Sequence, residues 1–143
     1  MPVRINQDLQ ARIFHHLEQT WPNEGGGFLL GEVSQDAATV RECIAVENVF
    51  EAAEQYHRYA MTPQDWMRLE DEADRRGLTL LGYYHSHPDS PAIPSDYDRE
   101  HALPNFVYLI TEVQAGAAQE MLAWRLRTDR SRFDSETLEV VCD

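Results

Sequence analysis

Leu9, Ile13, Leu17 and Trp21 recur four residues apart, with Asp8, Arg12 and Glu18 between them. Side chains at i and i+4 share a helical face, so the spacing predicts an amphipathic helix that follows Asn6 and is stopped by Pro22. The period breaks at Glu24-Gly-Gly-Gly-Phe-Leu-Leu-Gly-Glu-Val33. Three glycines open a helix poorly, and Phe28-Leu29-Leu30 is the short apolar run of a buried strand. Val40, Ile44 and Val46, set among polar residues, predict its antiparallel partner over 39–46, with Ser34 to Ala38 as the turn.

Residues 47–61 read as irregular and polar-aromatic. A second helix is predicted from Thr62 as N-cap, with Pro63 in the first position and Asp65 completing a capping-box-like pattern. Trp66, Leu69 and Ala73 form its inner stripe, and Gly77 ends it. Leu78 to Tyr84 reads as a central strand buried on both faces, and residues 85–95, rich in Ser and Pro, as the loop that follows. Ser95 is expected to cap a short third helix through Ala102, which Pro104 ends. Phe106 to Ile110 reads as a buried strand, Met121 to Leu126 as an edge or one-sided strand, and Leu138 to Val141 as a last one. This order predicts an α+β or mixed α/β domain, a central mixed sheet flanked by helices.

The 143 residues have the length of one domain. A chain of this size buries roughly 68–70% of its unfolded surface and needs no disulfide to fold. Twelve Lys+Arg against 25 Asp+Glu leave a net charge of −13. That balance argues against non-specific nucleic-acid binding and against an anionic membrane surface as partner. The N-terminus lacks the apolar core of a signal peptide, and no apolar run approaches the roughly 18 residues of a membrane span. Cys43 and Cys142 lie far apart and outside any Cys-x-x-Cys pair. Both are expected as free thiols in a reducing cytoplasm.

The candidate chemistry is concentrated in His85-Ser-His87-Pro-Asp-Ser-Pro-Ala-Ile-Pro-Ser95-Asp-Tyr-Asp98. Residues i and i+2 of a strand face one side, so His85 and His87 project two imidazoles in the same direction. Asp98, in the first turn of the next helix, adds a carboxylate; Asp96 is its rival. Two imidazoles and one carboxylate leave a fourth tetrahedral position open, the pattern of catalytic rather than structural zinc. Ligand type alone also admits iron or manganese. Ser95-x-x-Asp98 is equally a capping box, and the two roles are compatible, because the cap would hold the helix end that aims Asp98. His15, His16, His57 and His101 carry no such pattern.

His-x-His-Pro, seven residues, Ser and x-x-Asp together resemble the JAMM motif of the MPN-domain zinc metalloproteases. That motif's upstream glutamate, ahead of a Gly-rich apolar strand, is matched by Glu24. The resemblance covers nearly the whole chain and is nearest to the small prokaryotic members. It also includes Tyr59-Ala-Met61 and the stretch from Gly77 to His85. It implies a single MPN-like domain over residues 1–143, with a cytidine-deaminase-like architecture. It implies Zn2+ held by His85, His87 and Asp98, with Glu24 as general base on the attacking water and proton donor to the leaving amine. Ser95 would hydrogen-bond the oxyanion.

The same resemblance implies hydrolysis of a peptide or isopeptide bond after the Gly-Gly tail of a ubiquitin-like sulfur-carrier protein, trimming the tail or releasing cysteine from it. The sequence leaves two alternatives open: a non-catalytic scaffold of the same fold, and a zinc hydrolase of small peptides or amides.

Overall fold

The computed structural model describes residues 1–46 and 63–142. The irregular stretch 47–61 and the Thr62 cap of the second helix lie outside the described residues. The elements run β1 (Val3–Asn6), α1 (Gln7–Thr20), β2 (Gly26–Val33), β3 (Ala38–Val46), α2 (Pro63–Arg75) and β4 (Thr79–Pro88). They continue with α3 (Asp96–His101), β5 (Val107–Gln114), β6 (Ala117–Leu126), β7 (Phe133–Glu136) and β8 (Leu138–Val141). Among the described residues, eight strands form one mixed sheet in the order β7-β6-β5-β4-β2-β3-β1-β8. This is the expected fold class. No helix among the described residues is long and apolar enough to cross a membrane.

Helix α1 starts where the pattern predicts. The Asn6 side chain accepts a hydrogen bond from the Leu9 N–H at 2.7 Å, an N-cap that satisfies one orphan donor. Leu9, Ile13 and Leu17 are buried, and they pack with Leu29, Leu81, Tyr84, Leu109 and Val113 on one face of the sheet. On the other face, Leu69 and Ala73 of α2 meet Phe28, Leu30, Tyr83 and Tyr108. Trp66 lies edge-on to Phe28, with ring centroids 4.8 Å apart. The sheet thus has a core on each side, which explains why β2 and β4 are apolar without clean alternation.

Four expectations need correction. Strand β4 does not end at Tyr84 but runs through Pro88, because β5 lies parallel to it and keeps pairing, His87 with Glu112 and Pro88 with Val113. Strand β5 correspondingly extends to Gln114. Strand β6 begins at Ala117 and is no edge strand, since β7 pairs along its outer side. Strands β1 and β7, four residues each, are too short to stand out in the sequence.

Strands β7 and β8 lie at opposite edges of the sheet, yet only Thr137 separates them. The sheet therefore curls until one bent segment serves both edges. The Val3 N–H donates to the Thr137 carbonyl at that bend.

Between β2 and β4 the pairing passes from Leu29 opposite Gly82 to Leu30 opposite Leu80, skipping Leu81. A one-residue bulge of this kind exchanges the faces of all later side chains. It puts Tyr83 with the α2 core and Tyr84 with the α1 core. His85 and His87 follow the face of Tyr83.

Candidate metal centre

His85 and His87 sit in the last turns of pleat of β4, 5% and 7% exposed. Asp98 approaches from α3, whose N-terminus is built as the sequence predicts. The Ser95 Oγ accepts from the Asp98 N–H at 3.1 Å, and Asp98 Oδ2 accepts from the Ser95 N–H at 2.9 Å. This reciprocal box fixes the rotamer of Asp98 as well as the helix start. Asp96, the rival ligand, does not join the cluster; His85, His87 and Asp98 do.

Donor atoms of the three residues cluster. His85 Nε2 lies 3.3 Å from His87 Nε2 and 3.2 Å from Asp98 Oδ1, and His87 Nε2 lies 3.0 Å from Asp98 Oδ2. A tetrahedral ion with bonds of about 2.0–2.1 Å needs neighbouring ligand atoms about 3.3–3.4 Å apart. Each separation falls within a few tenths of an ångström of that demand, the two histidines meeting different oxygens of Asp98.

The hydrogen bonding points the same way. His87 Nδ1 is 2.7 Å from the Pro91 carbonyl, which can only accept, so Nδ1 carries the proton. In the neutral ring, Nε2 then presents a lone pair to a carboxylate oxygen and to a second imidazole nitrogen. Such a concentration of lone pairs is stable only around a positive charge, a proton or a metal ion.

Electrostatics agree. Burial pulls the His85 imidazole down, but the Asp98 carboxylate, its hydrogen bond and the Glu24 carboxylate outweigh it and raise the pKa. Burial pushes the Asp98 carboxyl up, and the two imidazoles more than reverse that, holding it far below the usual carboxylate range. The pocket favours added positive charge.

Glu24 and Ser95 lie on the walls of a cleft of about 320 Å³ that reaches His87, with Pro88, Ser90, Pro91 and Ile93 completing the lining. Glu24 is half-buried and close enough to His85 to bias its charge. Ser95 is exposed. Its oxygen accepts from Asp98, which leaves the hydroxyl proton to donate into the cleft. The structure thus gathers all five residues singled out from the sequence at one end of the sheet.

The glycines ahead of Phe28 have a packing cause. A Cβ on Gly26 would lie 2.4 Å from the Tyr83 hydroxyl and 2.6 Å from the Tyr84 carbonyl, and one on Gly27 would lie 2.4 Å from the Ile44 carbonyl. Only glycine lets β2 lie this close to the histidine strand.

Several supports were not anticipated. Ser86, 1% exposed, accepts from the Gly25 N–H at 3.0 Å. Trp124 Nε1 donates to the Ala92 carbonyl at 3.0 Å and so holds the loop whose Pro91 carbonyl orients His87. Asp89 accepts from Trp21 Nε1 at 3.2 Å and from the Ala115 N–H at 2.8 Å, joining the segments on either side of the cleft. Strand alternation could have shown that Ser86 faces away from the histidines. No local signal announces the others, because their partners are remote in the chain.

Comparison with known proteins gives concordant results. The family described as prokaryotic homologs of the JAB domain matches residues 6–127. A desampylase from Haloferax volcanii is 40% identical over 90 residues, 62% of this chain and 62% of that protein. A probable TtuB-protein conjugate cleaving protease from Thermus thermophilus is 33% identical over 95 residues, 66% of this chain and 60% of that protein. The matched stretch thus spans about three fifths of each relative's length.

Among solved structures, a protein from Salinibacter ruber superposes with a TM-score of 0.74 at 36% identity, covering 96% of this chain and 91% of that one. A protein from Desulfitobacterium hafniense superposes at 0.84 with 23% identity, covering 99% and 94%, and shares the fold.

Proposed function

The chain belongs to the prokaryotic homologs of the JAB domain, and from that premise we propose that it acts as one domain, a zinc-dependent peptidase that cleaves conjugates of a ubiquitin-like protein. The observation that carries the reading is the clustering of His85 Nε2, His87 Nε2 and the two carboxylate oxygens of Asp98, with contacts of 3.0–3.3 Å between the residues, beside a cleft that Glu24 also lines. One relative is named for cleaving protein conjugates, which supports the substrate class.

His85, His87 and Asp98 would hold Zn2+. The chemistry supplied by a bound zinc is Lewis acidity, which acidifies a water and polarises a carbonyl. The remaining work falls to the chain. Glu24 takes the proton of the attacking water and returns it to the leaving amine, a single carboxylate serving as base and then acid. Ser95 donates its free hydroxyl proton to the oxygen that gains charge as the carbonyl is attacked. The Pro91 carbonyl holds His87 in the tautomer that leaves Nε2 unprotonated. Cys43 is no nucleophile, since burial pushes its thiol pKa up.

A C-terminal Gly-Gly tail suits the site because chain without side chains can lie against the narrow cleft. The ubiquitin-like partner would be a sulfur-carrier protein ending in Gly-Gly, with either a lysine conjugate or an added amino acid such as cysteine as leaving group.

The test is a set of such proteins, extended beyond Gly-Gly by a short peptide or an isopeptide-linked lysine, with products read by mass spectrometry. Cleavage after the second glycine, abolished by a zinc chelator and restored by Zn2+ but indifferent to iodoacetamide, is expected. Zinc-independent or thiol-sensitive cleavage would contradict the reading. Stoichiometric zinc with hydrolysis of small peptides alone would favour the small-substrate alternative.

A further inference from the structure

Helix α3 carries Asp98 and Ser95 caps it, yet it has only six residues and none of them is buried. Isolated helices shorter than about 12–15 residues are marginal in water, and most helices are held by a buried apolar face that α3 lacks. Both of its ends are held. The N-terminal end is fixed by the capping box and by Asp98 itself. Just past the C-terminal end, the Leu103 N–H donates to the buried Tyr108 hydroxyl at 2.7 Å.

The helix's own terminal carbonyls are taken by one side chain. Arg130 Nη1 donates to the Ala102 carbonyl at 2.8 Å, and Nη2 donates to the carbonyls of Arg99 at 3.1 Å and Glu100 at 3.0 Å. A planar guanidinium can serve three acceptors at once, and its charge complements a helix C-terminus. Arg130 itself stands at φ 63°, a left-handed conformation that non-glycine residues rarely adopt. The connection between β6 and β7 thus holds an arginine in a costly backbone state, and the only side-chain bonds Arg130 makes among the described contacts are to the end of α3. An outlier retained in this way points to a role.

We propose that Arg130 is a positioning residue for Asp98: by clamping the carbonyl end of α3 it fixes the helix that aims the carboxylate at the two histidines. The inference rests on the reading of Asp98 as a metal ligand. Arg130 touches neither metal nor substrate and acts through the helix.

The test measures zinc affinity by chelator competition and the visible d–d bands of the cobalt-loaded protein, for Arg130→Gly and for Arg127→Ala. Glycine suits φ 63° and keeps the backbone of the turn while removing the clamp. Arg127 lies in the same connection and bonds Asp134 instead. Loss of an outer support of a metal ligand typically costs about 10–100-fold in affinity, so Arg130→Gly should weaken zinc by about tenfold or more and alter the cobalt bands. Arg127→Ala should do neither. Arg130→Lys keeps the charge without the fork and should fall between; it serves also if the glycine variant does not fold.

Zinc affinity within about twofold of the parent and unchanged cobalt bands in both Arg130 variants overturn the proposal. If Asp98→Ala alone leaves affinity intact, the ligand assignment has failed first, and the proposal falls with it.

Discussion

Gly25 and Ser86 exchange two hydrogen bonds: the Gly25 N–H donates to Ser86 Oγ at 3.0 Å, and the Ser86 N–H donates to the Gly25 carbonyl at 3.1 Å. Ser86 lies between His85 and His87 and turns its side chain to the other face of β4. Gly25 directly follows Glu24. The pair therefore locks the glutamate's segment to the histidine strand from behind, leaving the front free for chemistry.

Ser86→Ala removes the acceptor of a buried N–H. An orphaned buried donor costs about 1–3 kcal/mol, so denaturant unfolding should show a loss in that range. Turnover should fall further than zinc content, because the lock sits on the Glu24 side of the site. Ser86→Thr, which keeps the hydroxyl, should recover most of both.

Two glycines should respond unequally, and for different reasons, to alanine. At Gly82 a Cβ would lie 1.8 Å from the Val107 carbonyl oxygen, so Gly82→Ala must push β4 and β5 apart. Its cost should reach or exceed the top of the usual overpacking range of about 1–3 kcal/mol. At Gly77, φ is 71° and nothing lies within 4 Å, so Gly77→Ala meets only the left-handed strain of about 1–2 kcal/mol. Unfolding curves for the two variants would separate them.

His16 predicts a pH dependence. Burial lowers its pKa below the ordinary 6.5, and its Nδ1 lies 2.8 Å from the Tyr84 hydroxyl. As pH falls through 6.5, the unfolded chain takes up this proton and the folded chain resists it, so ν_U exceeds ν_N and stability declines. Above 6.5 both states hold the ring neutral and the slope vanishes. His16→Gln should therefore show a flatter stability profile than the parent below pH 6.5 and a parallel one above it, as read by denaturant titration.

His87→Ala should abolish stoichiometric zinc, because His85 and Asp98 alone offer two ligands where tight sites use three or more. Metal analysis after dialysis checks this. Fully retained, tightly held zinc would place the ion elsewhere.

Much of the site was legible because its geometry is local. His85 and His87 share a face through the two-residue period of a strand, and Ser95 and Asp98 meet through the three-residue spacing of a capping box. The α1 stripe of Leu9, Ile13 and Leu17 was legible for the same reason. Glu24 was reached only through family resemblance, since nothing near it in sequence says that β2 will lie beside β4. Which face the histidines take depends on the bulge at Leu81, and a one-residue slip leaves no trace in the apolar pattern. The closure through Thr137, the Trp124 bond to the Ala92 carbonyl and the Arg130 clamp all join residues remote in the chain.

The most direct test of the central claim is Glu24→Gln, assayed for zinc content and for turnover of a Gly-Gly-extended ubiquitin-like substrate. Glutamine keeps the shape and can still hydrogen-bond, but it cannot accept and pass on a proton. The account predicts zinc and melting temperature close to the parent, with turnover lower by about 10²-fold or more, the scale of a lost general base. Near-normal turnover with zinc bound would contradict the role of Glu24. Loss of the zinc would make Glu24 a ligand and contradict a site built on His85, His87 and Asp98 alone.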